Sequence, residues 1–199
     1  MQTAVQQSSA GIFEAGFTRS IPGKIVLALA STLVVAAAAH VSFPLWFTPV
    51  PLTLQPLAVL GVGLALGPVT GFFAMLAYLA EGAMGLPVFS PVGPGGVAQI
   101  IGATGGYLMA YPLVAFIAGS VTRGLQTRIP KFAAAAIACT AAVALLFVCG
   151  AGWLMTLAHL SLRQAWVAGV LPFLPGEAIK IVAAAGLYSS LSTLRTQLK

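Results

Sequence analysis

From Ile25 to Ala80 the chain reads IVLALASTLVVAAAAHVSFPLWFTPVPLTLQPLAVLGVGLALGPVTGFFAMLAYLA, without a single Lys, Arg, Asp or Glu. A helix that crosses a bilayer needs about 20 predominantly apolar residues, so this stretch holds more than one span. Pro44, Pro49, Pro51 and Pro56 show where the chain turns between spans. Proline removes a backbone donor and clashes with the preceding turn, and no regular helix tolerates so many so close together. A helix is therefore predicted from Ile25 to Phe43, ended by Pro44, and a second from about Leu52 to Leu66. Pro51 sits near the first turn of the second, and Gly67-Pro68 stops it. A third runs from about Val69 to Met84.

The same composition continues outward from this stretch. Of 199 residues, 59% are hydrophobic and 6% charged, whereas a soluble domain carries roughly 25% charged residues. Between Glu81 and Arg123 there is a second gap without charge. Further helices are predicted at about Tyr107–Val121, Phe132–His159 and Gln164–Leu194. Pro172, Pro175 and Gly176 interrupt the last, whose continuous part is expected from near Gly176. The predicted fold is all-α, an integral membrane bundle of about six transmembrane helices with outward-facing capping loops. Residues 21–199 form one such domain behind a polar N-terminal tail, residues 1–20. That tail contains Glu14 and has no apolar core ahead of a cleavage site, so it does not read as a signal peptide.

The formal net charge is +6, yet the basic residues sit at the ends of apolar runs and form no patch interleaved with aromatics for nucleic acid. Their placement follows the positive-inside rule. With the N-terminus inside, Arg19, Lys24, Arg123, Arg128, Lys131, Arg195 and Lys199 face the cytoplasm, and Arg163 alone faces out. Both termini are then cytoplasmic, and the loops before the second and fourth helices face outward. No G-x-x-x-x-G-K-[ST] motif occurs, so no P-loop ATPase is expected in the chain. Cys139 and Cys149 share one apolar run and lie about 15 Å apart along a helix, too far for a disulfide.

Two features carry chemistry. The segment Gly85–Gly106 lacks charge, and its glycines and prolines argue against a stable helix. Irregular backbone near a membrane persists where protein buries it or a cavity hydrates it. Glycine allows close approach to a ligand, and the first N–H groups of the following helix would suit an anion. A plain connector packed on the helix ends is the alternative. Glu177 and Lys180, spaced i and i+3, share one face of the last helix just inside its Pro175-Gly176 break. Charges within a span usually face the bundle interior and mark function, and a discontinuous helix is a frequent place for a binding site. An internal ion pair that only fixes packing is the competing reading. Glu81 is placed near the outer end of the third helix, where it reaches water or ligand. His40 and His159 lie near outer helix ends, and Trp46, Trp153 and Trp166 suit an aromatic belt. The chain has no Asp and three acidic residues in all, so it holds no paired carboxylates, no Ser-His-acid set and no metal cluster. Neither catalysis nor a cofactor is expected.

Four motifs, in order, make the chain recognisable. They are Val50-Pro51-Leu52-Thr53-Leu54-Gln55, Gly82 to Phe89 (GAMGLPVF), Gly102 to Leu108 (GATGGYL) and Pro172 to Lys180 (PFLPGEAIK). Together they closely resemble the biotin-specific capture (S) subunits of energy-coupling-factor vitamin transporters, the BioY family, over about residues 25 to 195. The family usually has Pro at the place of Ala103, Asp at that of Glu177 and often Arg at that of Val69. The longer Glu177 keeps the acceptor and moves it by one methylene.

The resemblance implies a biotin pocket capped by loops, in the cytoplasmic (inner) membrane of a bacterium. It also implies a transmembrane coupling subunit and two cytoplasmic ATPases as partners. Docking on the coupling subunit would use a small-residue stripe of the first helix, here Ala28, Thr32 and Ala36. The implied substrate-binding residues are Glu177, Lys180, Gln99, Gly105, Gly106, Tyr107, Phe89 and Gln55. In one placement Glu177 accepts from a ureido N–H and Lys180 donates to the ureido carbonyl, while Gln99 and the N–H groups around Gly105-Gly106 meet the carboxylate. In the other, Lys180 holds the carboxylate. The rival functions are capture of another vitamin, a self-contained carrier coupled to an ion gradient through Glu177, and a membrane enzyme.

Overall fold

The computed structural model describes residues 20–197; the expected tail lies outside the described residues but for Ser20, as do Arg19 and Lys199. Helix α1, Ile21–His40, is capped by Ser20, whose Oγ accepts from the Gly23 N–H at 3.2 Å, with proline in its first turn. That cap starts the helix ahead of the expected Ile25 and draws Lys24 into it. It ends at His40, before the expected Phe43, because Ser42–Phe43 (β1) pairs antiparallel with Leu52–Thr53 (β2). The same pairing takes the residues expected to open the second helix, so α2 is Gln55–Leu66. Gly67, at φ +81, turns the chain directly into α3, Pro68–Ala83.

The glycine-rich segment contains one short helix that its composition argued against, α4, Gly96–Ile100. It is entered through Gly95 and Gly96, both at positive φ, a conformation that glycine adopts without strain. Then follow α5, Gly105–Leu125, and α6, Lys131–Leu157. The latter stops short of His159, which has φ 51. The expected sixth helix is two. Helix α7, Leu162–Gly169, and a 3₁₀ turn, Leu171–Phe173, precede α8, Leu174–Gln197. The break thus lies ahead of Pro175, which sits in the first turn of α8, where its missing N–H would be unpaired anyway.

Four stretches are long and apolar enough to cross a bilayer: Ile21–His40, Gly105–Leu125, Lys131–Leu157 and Leu162–Leu194. Helices α2 and α3, of 12 and 16 residues, rise about 18 and 24 Å at 1.5 Å per residue. Both are shorter than the hydrocarbon core of about 30 Å. Helix α2 lies inside the bundle, touching α1, α3, α5, α6 and α8, whereas α3 packs on α1, α2 and α5 and leaves Val69 and Phe73 exposed; α5 packs on α2, α3 and α6. Small residues permit the approach. A Cβ on Gly119 of α5 would stand 2.6 Å from the Pro68 nitrogen and 2.7 Å from the Gly63 oxygen. The outer surface is apolar, as lipid requires: Ile25, Leu29 and Leu33 of α1 are each at least half exposed.

The two ends of the bundle differ. At one, Arg123 donates to the Leu66 carbonyl at 3.4 Å, Lys131 to that of Ser192 at 3.3 Å, and the Tyr188 hydroxyl to Gln126 at 2.6 Å. At the other, the loops gather. Thr48 Oγ1 donates to the Ala168 carbonyl at 2.7 Å, and Trp153 Nε1 to that of Gly102 at 2.8 Å. These bonds tie the proline-rich loop to α7 and the glycine-rich segment to α6.

Candidate functional site

At the loop end a cavity of about 540 Å³, its open mouth included, lies between the start of α8, the start of α2, and the segment from Ser90 to Leu108. Its polar lining comes from Thr53, Gln55, Ser90, Gln99, Glu177 and Lys180, and Leu108, Leu146, Phe147 and Phe173 supply apolar wall.

Glu177 and Lys180 stand one helical turn apart, and Lys180 Nζ donates to Glu177 Oε1 at 2.6 Å. Both residues are buried, at 4% and 5% exposure. The i,i+3 spacing makes this bond almost automatic once both side chains face one way. An acid in the first turn also gains from the unpaired N–H groups there. The pair is incomplete: Glu177 Oε2 is buried and has no hydrogen-bond partner among the described residues. A buried carboxylate oxygen left unpaired is costly, and here it belongs to a residue that lines a cavity.

Gln55 opens α2 and is 3% exposed. Its Nε2 donates to the Tyr78 hydroxyl of α3 at 2.6 Å, and that hydroxyl donates to the Val88 carbonyl at 2.7 Å. Gln99 of α4 is 2% exposed, and its Oε1 accepts from the Gly95 N–H at 3.1 Å. Because an N–H can only donate, this bond turns the NH₂ end of Gln99 away from Gly95. A Cβ on Gly93 would fall 2.6 Å from the Gln99 amide carbon, so a side chain there would displace the Gln99 amide. Tyr107 of α5 lines the cavity with its ring and spends its hydroxyl on the Gly169 carbonyl at 2.5 Å.

Of the expected ligand residues, the structure brings Glu177, Lys180, Gln99, Tyr107 and Gln55 to one cavity. Three others stand behind its wall. Phe89 packs edge-on against Tyr78, with ring centroids 5.4 Å apart, and its ring fills the place where a Gly82 side chain would be. Gly105 and Gly106 are spacing residues: a Cβ on Gly105 would strike the Ile100 carbonyl, and one on Gly106 would strike the Trp153 side chain and the Cys149 carbonyl. The Gly105 N–H, expected to await an anion, bonds the Gly102 carbonyl at 3.0 Å. Trp153 is turned inward to the Gly102 carbonyl rather than into an interfacial belt, whereas Trp46 is 95% exposed and Trp166 51%.

Thr32 also departs from expectation. It is 1% exposed and faces α3, with its hydroxyl 2.8 Å from the Leu29 carbonyl and 3.0 Å from Glu81 Oε1. Ala28 and Ala36, one turn to either side, are partly buried against the core. The stripe thus packs α1 onto its own chain. Glu81, in turn, is held by Thr32 and does not line the cavity.

Sequence reading missed Tyr78, Tyr111, Ser90 and Phe147. Tyr78 and Tyr111 sit in apolar helical runs and nothing near them in the chain marks them out. Thr53 and Phe173 lie inside the quoted motifs, which was signal enough to find them.

A family model described as the BioY family matches residues 5–197. The chain is 39% identical over 136 residues to "Probable biotin transporter BioY" of Pyrococcus horikoshii, covering 68% of this chain and 76% of that protein. To "Biotin transporter BioY" of Rhizobium etli it is 35% identical over 169 residues, 81% of this chain and 88% of that one. The fold resembles the crystal structure of an S-component for biotin from an ECF-type ABC transporter. The TM-score is 0.78 at 26% identity, over 85% of this chain and 90% of the other.

Proposed function

The chain belongs to the BioY family of multi-pass membrane proteins, and from that premise we propose that it captures biotin as the substrate-binding (S) component of an ECF-type transporter. One observation carries the reading to the residues. A buried acid and base line a cavity together, and the acid keeps one oxygen, Glu177 Oε2, without a partner among the described residues. Biotin has a ureido group with two N–H donors and one carbonyl acceptor. Glu177 Oε2 accepts from a ureido N–H, and Lys180 donates to the ureido carbonyl. The biotin carboxylate meets Gln99, whose NH₂ end is left over by the Gly95 bond. Phe147, Phe173 and the Tyr107 ring enclose the apolar remainder.

The chain acts by binding rather than by catalysis. Energy comes from a transmembrane coupling subunit and two cytoplasmic ATPases. Helix α1 presents to that subunit the ridge of Ile25, Leu29 and Leu33, since Thr32 is buried. The protein sits in the cytoplasmic (inner) membrane of a bacterium with its termini and the Arg123–Lys131 end inside, and the cavity opens outward. A cysteine placed at Trp46, the most exposed residue of the outer loop, should label in intact cells with a membrane-impermeant thiol reagent. One at Gln126 should stay protected, with Cys139 and Cys149 replaced by Ala beforehand.

Isothermal titration of the purified chain tests the function. Biotin should bind without ATP or partner. A response to thiamine or riboflavin, with no heat from biotin and no competition by it, would sink the proposal.

A further inference from the structure

The polarity of Gln55 is not a free choice. A tyrosine hydroxyl has one hydrogen, and Tyr78 spends it on the Val88 carbonyl, a group that can only accept. Toward Gln55, therefore, the Tyr78 oxygen must accept, and only the NH₂ end of the amide can supply the hydrogen. The 2.6 Å contact from Nε2 satisfies that requirement. What remains of the amide is its carbonyl oxygen, Oε1. No hydrogen bond among the described residues takes it up, and the residue lines the cavity.

We propose that Tyr78 is a positioning residue, which locks Gln55 so that the cavity presents Oε1 as a second acceptor beside Glu177 Oε2. The site then selects a polar ring with two N–H donors. This rests on the biotin reading above and assigns one ureido N–H to each acceptor. Strand β2, which leads into α2, approaches the start of α8 closely, since a Cβ on Gly176 would lie 3.4 Å from the Leu52 side chain, and α2 itself packs on α8. Tyr78 itself is fully buried, stands behind the cavity wall, and is held in place by Phe89. Its hydroxyl also anchors Val88, two residues before Ser90 of the cavity lining. One oxygen thereby fixes both the donor–acceptor sense of the pocket and the path of the loop that closes it.

A cycle of ligands and variants tests this. Biotin and its two mono-N-methyl ureido derivatives are titrated into the unaltered chain, Tyr78→Phe and Gln55→Met. Tyr78→Phe keeps the ring packing and frees the amide to turn. Biotin affinity should fall about tenfold or more, as for one lost buried hydrogen bond. Methylating the nitrogen that faces Gln55 should weaken binding to the unaltered chain, yet add little further loss in either variant. Methylating the other nitrogen should cost the same in all three proteins. A loss in Tyr78→Phe that is equal for all three ligands would reduce Tyr78 to a loop support, and no loss would remove it altogether. Should Tyr78→Phe yield no folded protein, Gln55→Glu decides beside Gln55→Met. The carboxylate keeps an acceptor and should retain the discrimination that methionine loses; discrimination retained by methionine overturns the proposal. If the unaltered chain gives no heat with biotin, it is the biotin reading that has failed.

Discussion

Glu177 and Glu81 are both acids within apolar helices, and the structure treats them oppositely. Glu177 is buried, bonds a full positive charge through one oxygen, and keeps the other oxygen unpartnered at a cavity wall. Glu81 is half-buried between α1 and α3, takes a neutral hydroxyl from Thr32, and touches no cavity. The difference separates a charge still available to a ligand from one that serves packing. Each acid has one side-chain hydrogen bond through a single oxygen. What differs is that the second oxygen of Glu177 is buried without a partner and belongs to a residue of a cavity wall, whereas Glu81 is half-buried and lines no cavity. The unused oxygen of Glu177 belongs to the wall of the cleft between α2, α5 and α8.

Several substitutions would break or sharpen this contrast. The largest effect is expected from Lys180→Ala, which removes a ligand donor and strands Glu177 in a low-dielectric site. Truncating one member of a buried pair commonly costs about 3–5 kcal/mol, enough to abolish measurable biotin binding and to lower folded yield as well. The double change Glu177→Gln with Lys180→Met separates these two effects. Both charges leave together, so monodisperse yield in detergent should return while biotin binding stays absent by titration. A well-folded double variant that binds biotin normally would make the pair structural and erase the contrast with Glu81.

Glu177→Gln alone should weaken biotin less than Lys180→Ala. The amide keeps an acceptor oxygen but loses the charge, and hydrogen bonds to charged groups exceed neutral ones by about 1 kcal/mol. The fall should be roughly tenfold in Kd, read by titration of protein with unchanged melting behaviour. Glu81→Gln should do least. The amide still accepts from Thr32, so biotin affinity should stay within about threefold and the melting temperature nearly constant, a net hydrogen bond being about 1 kcal/mol. A large loss of affinity from Glu81→Gln, with melting unchanged, would make Glu81 part of the site and collapse the distinction.

Much of this was legible in the chain. The charge-free run from Ile25 to Ala80 and the prolines within it dictate membrane helices and their breaks, because apolar length and missing backbone donors act locally. Glu177 and Lys180 were legible as sharing one face, because i,i+3 geometry needs no tertiary information. Their charge also makes an accidental place inside a bundle costly. The four motifs pointed to the family and to the face of the last helix that lines the cavity.

Other features were settled only by packing between distant segments. Thr32 read as a docking residue because the family resemblance implies a small-residue stripe there. It faces inward because α3, whose Glu81 is 49 positions further along the chain, lies on that side. Gly105 and Gly106 read as a ligand cradle; Gly106 is a spacer because Trp153 and Cys149 of α6 occupy the room beside it, and Gly105 because the Ile100 carbonyl does. The helix α4 and the strand pair of β1 and β2 were hidden by prolines and glycines whose local preferences forbid regular structure over longer spans.

The amide senses of Gln55 and Gln99 show the division most plainly. Sequence determined that Gln55 ends a motif at a helix start and that Gln99 lies in the glycine-rich segment, each able to donate or accept. Tertiary structure made one an acceptor toward the cavity and the other a donor. It set a tyrosine 23 residues away against Gln55 and a backbone N–H of the glycine turn against Gln99. A side chain's position along an element follows from local periodicity. The end of a symmetric polar group that remains for a ligand follows from whichever partner, near or far in the chain, has already claimed the other.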